Sequence, residues 1–136
     1  MQYWLVKSEP ESWSWDDQVR VGVEGWNGVR NYQAANNMKA MKLGDRAFFY
    51  HSVKEKSIVG IVEVVREYYP DASDPTGRFV MVDFKAVKPL PKPVSLADIK
   101  GEPRLAELAL LKQSRLSVVP IDAASWKIIS AMGGVK

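Results

Sequence analysis

The chain has 136 residues, a net charge of +3 and a pI near 9.1, with 46% hydrophobic and 26% charged residues, which predicts one domain spanning 1–136 with its own core. It holds no cysteine and one histidine, which excludes disulfides, thiolate chemistry, zinc-finger ligand sets and any two-histidine metal motif. No apolar run approaches the roughly 18 residues a membrane helix needs, and the first residues lack signal-peptide order, so a cytoplasmic protein is expected, or a nuclear one if the source is eukaryotic.

Residues 2–8 are rich in aromatic and branched types and read as a strand that Pro10 ends. Trp13 and Trp15 follow in a short segment where Ser14 can cap a helix, with Asp16 and Asp17 in its first turn. Both tryptophans read as a hydrophobic lid on the fold, with direct ligand contact as the alternative. Next comes Gly25-Trp26-Asn27-Gly28-Val29-Arg30-Asn31, a large flat aromatic among residues that free the backbone. Residues 31–42 predict a helix, with Asn31 as its N-cap and Ala34, Ala35, Met38 and Met41 on one apolar face.

Residues 46–52 and 58–65 predict two strands joined by a short charged link. Both faces of the first are apolar, which suits a strand covered on both sides. Gly60 inside the second marks a bulge, a corner or a close backbone approach. Residues 66–78 hold two prolines, a glycine and two aspartates and read as a long loop; residues 79–88 read as a strand, and Pro89, Pro91 and Pro93 as an extended crossing. Short helices follow at Ser95–Lys100 and from Pro103. Residues 114–120 predict a strand, and Asp122 caps a last helix carrying Trp126, Ile129 and Met132. The sum is an α+β fold: a closed or nearly closed mixed β-barrel of about five or six strands flanked by short helices.

Charge is unevenly spread. Residues 26–60 carry six bases (Arg30, Lys39, Lys42, Arg46, Lys54, Lys56) against Asp45 and Glu55, around the Trp26 stretch. Trp26 offers a stacking face for a planar polar ligand such as a nucleobase, or else a core side chain. Gly28 and Val29 continue that wall. Asn31 can read a base edge or simply cap its helix. Arg30 can hold a phosphate or pair with Glu9 or Glu24. Tyr50, His51 and Ser52 leave a core strand together. His51 is expected to line the site or serve the structure, and no glycine-framed serine provides a nucleophile elbow. Ser117 either lines the opposite side or is a structural hydroxyl.

Six segments in this order carry a resemblance: Y-W-L-V-K-S-E-P at 3–10, W-N-G-V-R-N-Y-Q-A at 26–34, M-K-L-G-D at 41–45, F-F-Y-H-S at 48–52, I-V-G-I-V-E-V-V-R at 58–66 and R-L-S-V-V-P at 115–120. Over essentially its whole length the chain resembles an EVE domain of the PUA-like superfamily, and in layout, more distantly, a YTH domain. The resemblance implies a non-catalytic reader of a modified base, flipped out of DNA or RNA into an aromatic pocket, with no cofactor and no metal. Ser8 would line that pocket with Trp26, and Lys7, Arg30 and Arg115 would meet phosphates. A monomer is expected. Residues 69–79 are shorter than the family pattern, and the second cage tryptophan of a YTH reader has no counterpart at the matching place. Competing readings are a small-molecule or nucleotide site, with or without catalysis by His51, and a protein-interaction module built on Trp13 and Trp15. In the base-reader view, Trp26→Ala leaves the fold intact.

Overall fold

The computed structural model describes residues 1–53 and 55–135. Lys54, one of the bases counted above, lies outside them. The elements in chain order are β1 (Tyr3–Ser8), α1 (Trp15–Val21), β2 (Val23–Gly25), α2 (Tyr32–Ala40), β3 (Arg46–His51), β4 (Ser57–Pro70), β5 (Val80–Ser95), α3 (Leu96–Lys100), a 3-10 turn (Pro103–Leu105), α4 (Ala109–Lys112), β6 (Val118–Ile121) and α5 (Ala123–Met132). Among the described residues no helix is long and apolar enough to cross a membrane.

The helix starts follow from short-range chemistry. Ser14 and Ser95 form capping boxes with Asp17 and Asp98, while Asn31 and Asp122 accept from the backbone N–H groups of Ala34 and Ser125. Each cap satisfies amide donors that the first helical turn would otherwise leave open.

The α+β class and six-strand count hold, but the sheet is not closed into a barrel. Its order is β2-β5-β4-β3-β1-β6, with β1 and β3 parallel and the other neighbouring pairs antiparallel. No ladder among the described residues joins the two edge strands. The sheet still curls, because residues of β2, the first strand in that order, and of β1, the fifth, line one cavity. Side chains and a cleft fill the seam where a barrel would place hydrogen bonds.

β3 is apolar on both faces because both are covered. Phe49 meets the edges of Trp15 and Trp26, while Phe48 stacks on Trp126 of α5 at 3.9 Å between centroids. Gly60 marks the bulge its position suggested, and what comes close to it is a side chain rather than backbone. A Cβ there would sit 2.5 Å from the Trp15 ring, and the β3–β4 and β4–β5 registers both shift next to it.

Several boundaries move. The helix expected over 31–42 stops at Ala40, where the Met41 N–H turns back to the Met38 carbonyl, and the strand expected over 114–120 is Val118–Ile121, because the Leu116 N–H closes a turn onto the Gln113 carbonyl. β4 runs on through Tyr69 and Pro70, so the loop begins at Asp71; β5 runs through its three prolines to Ser95. The prolines are tolerated because β2 covers β5 only at Asp83–Lys85, leaving one side of the later residues without a partner strand. β2 itself was not anticipated, since three residues with one valine carry no periodicity.

Candidate nucleic-acid interface

A cleft of about 620 Å3 lies in the seam of the curled sheet. From the β1 side come Lys7, Ser8 and Glu9, and from the turn after it Ser12 and Trp13. From the opposite edge come Glu24 and Gly25 of β2, then Trp26, Asn27 and Gly28. Its size falls within the range of sites that enclose a drug-sized ligand, about 300–1,000 Å3.

Trp26 is both wall and core. It is 9% exposed, its N–H donates to the Val82 carbonyl at 2.7 Å, and its ring meets Phe49 and Phe84 edge-on at 5.6 and 5.5 Å. The second aromatic wall, which the sequence left open, is Trp13. Its indole N–H donates to Gln18 at 2.9 Å, its carbonyl accepts from the Ser8 hydroxyl, and its ring remains half-exposed at the cleft. Trp13 read as a lid because nothing local to S-W-S-W marks which way a ring faces.

Gly28 has a φ of 82°, a left-handed backbone that suits glycine. Its N–H is not open to a ligand, because it donates to Asp71 Oδ2 at 2.8 Å. The same carboxylate accepts from Arg30 at 3.1 Å and from the Ser73 backbone and hydroxyl at 2.8 and 2.6 Å. Burial pushes the Asp71 carboxyl up, but the donors of Ser73, Gly28 and Arg30 outweigh it and hold its pKa below the ordinary 3.8. Arg30 therefore pairs with Asp71 rather than with Glu9 or Glu24. Val29 is buried in the core, and Asn31 spends its side-chain oxygen on the helix cap.

Lys7 sits on a shared rim. It lines the large cleft and also a smaller one of about 180 Å3, where it meets Tyr50, Ser52, Lys56 and Ser114. Its ammonium donates to the Ser114 carbonyl at 2.7 Å, and burial lowers its pKa from the ordinary 10.5. Burial likewise raises the Tyr50 phenol above 10.0. Arg115 lies apart, in a third depression with Asn31, Gln33 and Lys112 that Ser114 connects to the second. Ser117 contributes its carbonyl, which accepts from the Lys7 backbone at 2.9 Å.

His51 is engaged on both ring nitrogens. Nε2 accepts from the Trp15 backbone at 3.0 Å, and Nδ1 lies 3.2 Å from Glu55. Accepting at Nε2 places the proton of a neutral ring on Nδ1, toward Glu55. Neither nitrogen meets Ser52 or another hydroxyl in these contacts. His51 thus ties α1 to β3 rather than opening onto the cleft.

The EVE domain model matches residues 2–132. The chain belongs to the EVE domain family. It is 34% identical to human "Thymocyte nuclear protein 1" over 165 aligned positions, covering 96% of this chain and 73% of that protein. Among solved structures, the NMR structure of Rpa0253 from Rhodopseudomonas palustris is 59% identical with a TM-score of 0.94, over 98% of this chain and 94% of that one. A crystal structure of human THYN1 "in complex with 5-methylcytosine containing DNA" is 33% identical with a TM-score of 0.92, over 100% of this chain and 99% of that one.

Proposed function

We propose that this single-domain, monomeric protein binds nucleic acid without catalysis, taking one base out of the strand into the cleft between Trp13 and Trp26. The observation that carries the reading is the cleft itself: Trp13 from the turn after β1 and Trp26 from the segment after β2 both line it, with a lysine on the rim. A base stacked on an aromatic gains roughly 1–3 kcal/mol. A 5-methyl group buried beside it adds about 0.8 kcal/mol, so methylation sharpens binding only modestly by burial alone. The adjoining phosphate goes to Lys7 and Lys56 in the smaller cleft, with Tyr50 and Ser52 beside it. The human relative crystallised with methylated DNA supports this class of ligand. The occupied nitrogens of His51 speak against a hydrolytic reading of the same residues.

The test is a binding series with single- and double-stranded oligonucleotides carrying cytosine, 5-methylcytosine or an abasic position at one site. Binding is expected to weaken with salt and to drop at the abasic position. Equal affinity for abasic and intact strands would remove base insertion. Salt-independent binding of a free nucleotide, with turnover, would make the protein an enzyme instead.

A further inference from the structure

Two carboxylates, Glu9 and Glu24, line the large cleft against the single ammonium of Lys7. A nucleic-acid backbone brings negative charge, so this wall is not made for phosphate. It is matched to the hydrogen-bond donors on a base edge, since an ionised carboxylate only accepts. The two acids are not equivalent. Glu9 is exposed, so solvent competes for its carboxylate. Glu24 is half-buried and sits on β2, whose pairing with Phe84 of β5 fixes its backbone. Its Oε1 accepts from the Gly25 N–H at 3.0 Å, which orients the carboxylate, while Oε2 accepts nothing among the described residues. An oriented carboxylate with one open oxygen, beside Trp26 on the cleft wall, is a reader of amines.

We propose that Glu24 accepts a hydrogen bond from the exocyclic amino group of the inserted base, so that the cleft selects amino-bearing bases of the cytosine and adenine type over thymine and uracil. This rests on the base-insertion reading above. The reason is electrostatic. Thymine presents a carbonyl oxygen where cytosine presents its amine, and two acceptors would then face each other with nothing between them. Carboxylate-to-amine pairing is a recognised base contact, and one good contact discriminates by roughly fivefold to 150-fold.

The decisive pair of ligands is 5-methylcytosine and thymine at the same position of one single strand. Both carry the 5-methyl group, and they differ at the amine and the neighbouring ring proton, so stacking and methyl burial cancel. The parent protein is expected to prefer 5-methylcytosine by at least about fivefold. Glu24→Gln keeps the shape and the Gly25 contact, and its amide can turn to donate to the thymine carbonyl. Its preference should fall to about twofold or less with an unchanged melting temperature. Glu24→Ala should lose the preference through weaker 5-methylcytosine binding. A parent that binds thymine as tightly as 5-methylcytosine, or an E24Q protein that keeps the full preference, overturns the assignment. A trimethyllysine peptide bound by the parent and lost in E24Q would also overturn it, placing a cation where the base amine belongs. If instead the abasic strand binds as well as both, base insertion itself has failed, and that outcome is read separately.

Discussion

Trp26 and Trp13 share the cleft but differ in what else they do. Trp26 is 9% exposed and wedged edge-on between Phe49 and Phe84, so its removal leaves a cavity inside the curl of the sheet. The expectation that Trp26→Ala leaves the fold intact does not survive this packing; the loss is about 3–5 kcal/mol of stability. Trp13 is half-buried and held by its indole hydrogen bond to Gln18, a bond worth about 1 kcal/mol. Trp13→Ala is therefore the cleaner probe. It should remain folded in a urea titration and lose roughly 1–3 kcal/mol in binding a 5-methylcytosine strand. Unchanged binding by the folded variant would take Trp13 out of the site. Of the residues that line the cleft, those expected there from the sequence are the ones whose neighbours are sequence-local: Trp26 beside its glycines, Lys7 and Ser8 at a strand end. That Glu24 and Trp13 line it too was not legible, because only the curl of the sheet brings β2 and the turn after β1 to one cleft.

At the scale of elements, the loop after β4 braces the cleft. Asp71 binds Gly28 and Arg30 across the fold, and Asp74 turns the loop by accepting from Thr76, Arg78 and Phe79. The Thr76 hydroxyl and then the Thr76, Phe79 and Arg78 amides bring the Asp74 pKa to about 2, against an opposing push from burial. Both carboxyls titrate lower in the folded chain than their ordinary 3.8. Each therefore binds a proton more readily when unfolded, and its stabilisation is full above about pH 4 and is lost below that, for Asp74 as pH falls through about 2. Asp71→Asn and Asp74→Asn should each lower stability at neutral pH and flatten its fall in acid, followed by circular dichroism. A variant with the parent's slope would show that its carboxylate is not part of the acid response. Residues 66–78 read as loop because Pro70 and Pro75 punctuate them, yet β4 holds Tyr68 and Tyr69 in the sheet. Helix starts were readable from Ser14, Asn31, Ser95 and Asp122 because an N-cap is settled within four residues. Strand ends were not, because the pairing partner of Tyr69 is Met81, on the far side of the loop.

At the scale of the whole molecule, three depressions form a chain. Lys7 belongs to the first and second, and Ser114 to the second and third. A strand with its base in the large cleft would pass Lys7 and Lys56, then cross Ser114 toward Arg115 and Lys112. In the proposed reading the acid-lined first cleft takes the base and the basic second one the phosphate. The second holds about 180 Å3, room for one phosphate between Lys7 and Lys56. Replacing both lysines with glutamine keeps a donor for the Ser114 carbonyl and removes the charge. For single strands each phosphate contact contributes about 0.7 to the slope of log affinity against log salt, so the pair should reduce it by about 0.7 at every strand length. Arg115→Gln should reduce it by a further ~0.7 only on strands long enough to cross Ser114, and leave a trinucleotide centred on the base unaffected. Preference for 5-methylcytosine over thymine should persist in all these variants, since the contact proposed for Glu24 is to the base amine and involves neither lysine. An Arg115 effect on the trinucleotide would place Arg115 at the mouth of the base cleft. No lysine effect at any length would send the strand over another face of the protein.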